Sequence, residues 1–276
     1  MSSFLPRWSA LAFAALLALF GCQSGHEAGG AGGNGSGGVI AGAGGATAGS
    51  GGASGPPTVS GDVIGDGHSG VYHLGPVDFA ETQWHNACAP GTKYPVTLQA
   101  TAGLKGEYLA GVSNAFNGGG AVCDACILIE TARGKSIVAR VVTYGVEHAD
   151  GDIDVSPSVF VAIYQNEDPR SQTWHFARCP EAGPIQYQFQ TAANPYWTSL
   201  WVRNPRVPLV KAEVKKSGAA AFIELKRASD GTLTDPSGFG TGPFTFRLTA
   251  MDGQVITDDL SGFQAGALTA STTQFQ

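Results

Sequence analysis

Two carboxylates two positions apart are the residues best placed for chemistry. In Gly151-Asp152-Ile153-Asp154-Val155-Ser156 the acids alternate with apolar residues. An extended backbone would therefore put Asp152 and Asp154 on one face, about 7 Å apart along the strand. Inverting hydrolysis of a glycosidic bond needs two carboxyl groups roughly 6.5 to 9.5 Å apart, one giving a proton and one activating water. Glu147, Asp150 and Asp152 lie close to Asp154 in sequence, and Asp78 lies far upstream. Spacing does not select a partner for Asp154 among them. His68, His73, His85 and His148 are scattered without the convergent spacing of a metal site. The chain has no Gly-x-Ser-x-Gly element and no phosphate loop. A second kind of chemistry resides in Tyr196, Trp197 and Trp201. Rigid aromatic rings stack on the C–H faces of sugar rings at small entropic cost, and Trp197, Ser199 and Trp201 would share one face of a strand.

The elements that must hold these residues read mostly as β-strands. Cys126–Glu130 and Ser136–Thr143 are β-rich runs separated by a turn at Arg133-Gly134-Lys135. Ser156-Pro157 followed by Val159, Phe160 and Ile163 predicts one short helix, with serine at the N-cap and proline at the first helical position. Asn166-Glu167-Asp168-Pro169 would end it. Further on, Val210–Lys215 and Phe244–Thr249 alternate apolar and polar residues, the signature of strands with one buried and one wet face. Turns at Ser217-Gly218, Asp230-Gly231 and Asp252-Gly253 divide this part into about six to eight short strands, which suits a β-sandwich.

Composition narrows the setting. Residues 61–182 carry 7 Lys/Arg and 14 Asp/Glu, and residues 183–276 carry 8 and 7. There is no basic domain, which argues against nucleic acid as a partner. Residues 1–21 read as an export signal: Arg7 provides the positive region, and the apolar run Ala10–Phe20 is too short to span a bilayer. Leu19-Phe20-Gly21-Cys22 resembles a bacterial lipoprotein cleavage box, so Cys22 is the expected lipid-bearing residue. Residues 22–60 are mostly Gly, Ala and Ser, a composition expected of a flexible tether. The remaining four cysteines, Cys88, Cys123, Cys126 and Cys179, suggest two disulfides in an exported chain, and spacing leaves all three connectivities open. All four precede residue 180, which places a domain boundary near Glu181. The expected location is secreted, at the cell surface or on the outer membrane.

Several stretches in order carry a family resemblance. They are Cys123-Asp-Ala-Cys126, then Gly151–Phe160, then Trp174-His-Phe-Ala-Arg-Cys179-Pro180, and then Trp201-Val-Arg-Asn-Pro-Arg-Val-Pro208. Over roughly residues 65 to 262 this order resembles the expansins. The resemblance implies an all-β chain: a six-stranded double-psi β-barrel over 61–182, followed by an immunoglobulin-like, carbohydrate-binding β-sandwich over 183–276. It also implies the pairings Cys88–Cys123 and Cys126–Cys179, each closing a loop worth about 3 to 4 kcal/mol in the chain-entropy model.

The same resemblance implies non-hydrolytic binding and loosening of cellulose or a related β-glucan, with no cofactor, by a monomer that is not an enzyme. Asp154 matches the family's functional aspartate. Tyr144 follows Val142-Thr143 where relatives carry an aspartate, and Gly70-Val71-Tyr72-His73 stands for their Gly-x-x-Thr-Tyr. Asp154, Asp152, Tyr144, Asp78 and His73 are thus the candidate groove residues. Tyr196 and Trp197 match the family's paired surface aromatics. A third aromatic is missing near Ser229, and Trp201, at a position that is polar in relatives, is expected to be exposed and to replace it. Lys211, Lys215 and Arg206 read as a solvated face. A weak endoglucanase or lytic transglycosylase, or a polysaccharide-binding adhesin, are the alternative functions.

Overall fold

A computed structural model describes residues 62–75, 87–88, 108–145, 149–180 and 183–276. The signal, Cys22, the tether, Asp78, Glu147 and the boundary near Glu181 lie outside the described residues. Among the described residues no helix is long and apolar enough to cross a membrane.

Six strands close into a barrel: β1 (Val63–Leu74), β2 (Leu109–Val112), β3 (Cys126–Thr131), β4 (Ser136–Tyr144), β5 (Ile153–Val155) and β6 (Ser171–Ala177). Their order around the barrel is β1-β5-β2-β4-β3-β6. Two pairings, β1–β5 and β2–β4, are parallel and the rest are antiparallel. The interior is filled by alternate residues of these strands, among them Tyr72, Ala110, Val112, Ile127, Ile129, Ala139, Val141, Ile153, Val155 and Trp174. The helix α1 (Pro157–Ile163) begins after Ser156 and contributes Val159 and Ile163 to that core. Ser156 is the N-cap by position, but its hydroxyl makes no cap bond and instead accepts from the Leu109 N–H at 3.2 Å. The serine continues the β2–β5 ladder into the helix.

The remaining strands are β7 (Gln186–Phe189), β8 (Thr198–Arg203), β9 (Leu209–Lys216), β10 (Ile223–Glu224), β11 (Lys226–Arg227), β12 (Leu233–Asp235), β13 (Phe244–Ala250), β14 (Val255–Leu260) and β15 (Leu268–Ala270). They form a four-stranded sheet, β10-β9-β13-β14, and a five-stranded sheet, β11-β12-β8-β7-β15. One apolar core lies between the sheets, with Tyr187, Phe189, Leu200 and Val202 from one and Ala212, Val214, Phe246 and Leu248 from the other. Nine strands exceed the six to eight that periodicity suggests. The surplus comes from β10 and β11, two-residue strands too short to show a period.

Barrel and sandwich belong to one compact unit, and their junction is polar and buried. Arg203 of β8 donates from Nη1 to Asp124 Oδ2 at 2.6 Å, and Arg140 of β4 lies 3.8 Å from the other carboxylate oxygen. Asp124 sits in the left-handed backbone region at φ 65°, which a short polar side chain tolerates, immediately after Cys123 of the Cys88–Cys123 bridge. Arg203 also donates to Gln188 Oε1 at 2.8 Å and to the Cys88 carbonyl. Cys126–Cys179 is the second bridge, so the structure has the pairing that the resemblance implies. The turn 228–231 presses on the barrel: a Cβ on Gly120 would meet the Ala228 carbonyl at 2.1 Å, and one on Gly231 would meet Cys123 Cβ at 2.8 Å. At neither site is there room for a side chain.

Removing one partner of a buried ion pair leaves the other charge uncompensated, at a cost of about 3 to 5 kcal/mol. Asp124→Ala should therefore lower unfolding free energy by about that amount in urea titrations. A loss under about 1 kcal/mol would show that the junction does not depend on this carboxylate.

Candidate functional site

The barrel's outer face carries a row of three residues. Ile153 and Val155 are fully buried, so alternation turns Asp154 outward. Tyr72 faces the core and leaves His73 outward in the same way, and Ala110 and Val112 leave Gly111 outward. Register aligns the row: His73 pairs with Asp154 across β1–β5, and Asp154 with Gly111 across β5–β2. Asp154 is half-buried, and β1 ends against it, since a Cβ on Gly75 would fall 2.5 Å from Asp154 Cβ. Gly111 is itself buried, so the row is covered where it reaches β2.

Asp152 is tied to the backbone and is not an open carboxylate beside Asp154. It precedes β5 and is buried. Its Oδ1 accepts from the Val71 N–H at 2.8 Å and its Oδ2 from the Ala149 N–H at 3.3 Å, with His73 Nε2 at 3.6 Å. It is a bracket that fixes the 149–152 turn to β1 and places His73. The neighbouring glycine explains why two of the sequence motifs travel together. The Gly151 carbonyl accepts from Trp174 Nε1 at 3.2 Å and from Gln172 Nε2 at 2.9 Å, and a Cβ on Gly151 would meet the Ser69 carbonyl at 1.9 Å. Trp174 of β6 thus holds the aspartate segment in place. Asp150 accepts from the Ser113 hydroxyl at 3.1 Å. Tyr144 belongs to the adjacent row, paired with Val112 beyond a bulge, and packs half-buried between the barrel core and the Cys88–Leu109–Val142 cluster.

Other polar groups of the barrel are structural. The Tyr72 hydroxyl donates to Glu167, which also accepts from the Gln165 N–H at 2.6 Å. Burial first, and then the hydrogen bond to Glu167 and its charge, push the phenol up. Burial alone would raise Glu167, but Tyr72 and the backbone amides hold it below the usual carboxylate range. His68 is packed against Phe116 and Trp174, at 4.4 Å from each ring, and burial followed by the nearby His175 lowers its pKa. Among the described residues no three ligands converge as a metal site would need.

The second candidate site is an aromatic turn. Asn194-Pro195-Tyr196-Trp197 folds back on itself ahead of β8: Asn194 Oδ1 accepts from the N–H groups of Tyr196 and Trp197 at 2.9 and 3.1 Å. Gly238 backs the turn, since a Cβ there would lie 2.1 Å from the Pro195 carbonyl, and the Gly240 N–H donates to that carbonyl at 2.9 Å. The result presents Tyr196, 83% exposed, beside a half-buried Trp197 on a pinned backbone.

Trp201 does not join them. Only 5% of it is exposed; its indole N–H donates to the Asp230 carbonyl at 3.2 Å, and the Arg203 guanidinium lies 4.8 Å over its ring. Parity is obeyed, because Trp201 points away from the sandwich core. That outer face is covered at this end by the 228–231 turn where it meets the barrel, so the residue wedges the junction and is unavailable as a third platform ring.

The basic face also departs from its simplest reading. Glu213 of β9 is held by both Nε and Nη2 of Arg247 at 2.7 Å and by Lys211 Nζ at 3.0 Å. Lys215 and Arg247 both lie over the ring of Phe222. Lys211 is therefore neutralised locally.

Comparison with known proteins gives a consistent picture. No protein-family profile matches the chain. Expansin-YoaJ of Bacillus subtilis (strain 168) is 27% identical over 141 residues, covering 51% of this chain and 59% of that protein. Expansin-like protein 5 of Dictyostelium discoideum is 22% identical over 143 residues, 50% of this chain and 59% of that protein. The chain thus spans about three-fifths of the length of these relatives. The crystal structure of apo Clavibacter michiganensis expansin superposes with a TM-score of 0.61 at 16% identity, covering 76% of this chain and 98% of that one. The chain is similar to expansins in sequence and in fold. A mutant of the Clavibacter expansin, solved in complex with cellohexaose, matches equally well, with a TM-score of 0.61. The likeness makes the closed barrel followed by a sandwich the expansin fold, which is a double-psi barrel and an immunoglobulin-like domain.

The Arg247 bonds first, and then Lys211, lower the Glu213 pKa from 4.5 to about 2. A group whose folded pKa is depressed stabilises the fold above its unfolded value, and that contribution is lost as pH falls through the folded one. Stability should therefore fall between about pH 4.5 and 2, and Glu213→Gln should flatten that part of a melting-temperature profile. An unchanged acid limb in the variant would show that the Arg247 pairing is fully screened.

Proposed function

We propose that this chain binds cell-wall β-glucan, cellulose or a close relative, and loosens it without cutting it. The observation that carries the reading is the Asn194–Trp197 turn, which holds an exposed tyrosine and a half-exposed tryptophan on a locked backbone. A crystalline glucan surface is flat and apolar on its ring faces, and pre-ordered aromatics lose little entropy in stacking on it. His73 and Asp154, paired across β1–β5 and each half-buried, supply hydrogen-bonding groups on the barrel suited to the hydroxyls of a glucan chain. The cellohexaose bound to a Clavibacter relative supports a β-glucan ligand.

The absence of hydrolysis belongs to this proposal. Asp152 is bonded to two backbone amides, so it is poorly placed to activate water opposite Asp154. Asp154 acts here as a hydrogen-bond acceptor for a sugar hydroxyl, and the loosening step is competition for the contacts between glucan chains. In the same reading the protein is exported as a monomer, residues 61–182 and 183–276 are its two domains, and Cys22 carries a lipid that tethers both through residues 22–60.

Pull-down of the full chain on crystalline cellulose, with released reducing sugar assayed in the same tubes, tests the proposal. Trp197→Ala and Tyr196→Ala should each weaken binding about tenfold or more, by analogy with the loss of an aromatic anchor, and no sugar should appear. Trp201→Ala should instead lower stability by about 3 to 5 kcal/mol and leave the affinity of the folded fraction intact. Sugar release abolished by Asp154→Asn would replace this reading with a glycosidase.

A further inference from the structure

A buried hydroxyl stands behind the aromatic turn. Thr198, the first residue of β8, is wholly shielded from solvent. Its Oγ1 donates to the Asn194 carbonyl at 2.9 Å and accepts from the Phe239 N–H at 3.0 Å. One side chain thus joins the turn that carries Tyr196 and Trp197 to a loop 41 positions further along the chain.

That loop, 236–240, is anchored in its own right. Asp235 pairs with Thr198 across β12–β8. Its Oδ1 accepts from the Ser237 N–H at 2.9 Å and from the Ser237 hydroxyl at 2.7 Å, and its Oδ2 meets Lys216 Nζ at 2.6 Å. The Gly238 N–H donates to the Asp235 carbonyl at 3.1 Å. At the far end the Gly240 N–H donates to the Pro195 carbonyl at 2.9 Å. The loop is therefore rooted on the sheet and leans on the turn, and Thr198 bonds the two midway. Asn194 completes the arrangement from the exposed side. Its carbonyl takes the Thr198 hydroxyl, and its Oδ1 takes the N–H groups of both ring-bearing residues.

We propose that Thr198 and Asn194 are positioning residues for the aromatic shelf, a clamp that sets the poses of Tyr196 and Trp197 by holding the turn to the 236–240 loop. Neither residue has to touch a glycan for this. The clamp deepens the polysaccharide-binding reading above and rests on it for what the shelf binds; how the shelf is held follows from the bonds alone. A hydroxyl donates and accepts at once. Valine at 198 keeps the branched shape and does neither, whereas serine does both. Released from the loop, the turn would sample more poses, and each ring would have to be ordered at the moment of binding. The loss falls on affinity while the rings themselves are unchanged.

Cellulose pull-down of the full chain tests this, with fluorine NMR of the fluorotryptophan-labelled protein run beside it and the Trp197 signal assigned by Trp197→Phe. Thr198→Val should weaken binding by the folded fraction about three- to tenfold, the cost of ordering one or two side chains. It should also shift or broaden the Trp197 signal and leave that of Trp174 in place. Thr198→Ser should rescue both readouts. Asn194→Ala should act as the valine does, and Asn194→Asp, which keeps an acceptor oxygen, should rescue it. Asn194 is exposed, so this second pair decides the matter if Thr198→Val misfolds. Wild-type affinity in folded Thr198→Val or in Asn194→Ala would overturn the clamp. So would a loss as large in Thr198→Ser as in Thr198→Val, or weaker binding with an unmoved Trp197 signal. A Trp197 signal that moves in these variants of a protein that ignores cellulose would uphold the clamp and reject the β-glucan reading.

Discussion

The architecture depends on one buried carboxylate shared by two arginines. Asp124 comes from the barrel, Arg140 from a barrel strand and Arg203 from the first long strand of the sandwich, and all three are almost wholly buried. An isolated charge in such a place is expensive, so each group requires the others, and the two β-structures cannot part without exposing or orphaning them. The consequences spread outward. The Cys88–Cys123 bridge flanks the carboxylate, and the Cys88 carbonyl accepts from Arg203. Glycines at 120 and 231 let the two backbones meet. Trp201 fills the space beneath the guanidinium. The arginine and asparagine of the Val-Arg-Asn segment have separate tasks: Arg203 reaches into the barrel, and Asn204, bonded to the Pro184 carbonyl at 2.9 Å, holds the connection between barrel and sandwich.

What the sequence made legible follows from how local each cause is. Alternation in Val210–Lys215 and Phe244–Thr249 is a direct record of one buried face, and the strands are there. Ser156-Pro157 marked a helix start correctly, though the serine hydroxyl is used by Leu109, a partner 47 residues away that no local rule could supply. Parity turned Trp201 to the correct face of its strand, but parity does not say what covers that face, and here a turn thirty residues on closes it. Asp152 illustrates the same limit. Spacing placed it beside Asp154, whereas its two backbone bonds depend on the approach of β1. The Gly151–Trp174 bond was hidden for the same reason, though the shared order of the two motifs was its trace.

A protein that acts by binding alone can shift an equilibrium only as far as its affinities for the two states differ. This constrains how the two glycan-facing features divide the work under the proposed function. An aromatic shelf such as Tyr196–Trp197 stacks on a ring face whether or not the glucan chain beneath is packed against others, so it raises local concentration without favouring separation. The half-buried pair Asp154 and His73 on the barrel is different, because hydrogen bonds to ring hydroxyls form only when those hydroxyls are released from neighbouring chains. Loosening must therefore arise on the barrel, with the sandwich holding it close. The buried junction at Asp124 gives that arrangement its mechanical sense: a docked barrel spends its time at the surface that the shelf has found.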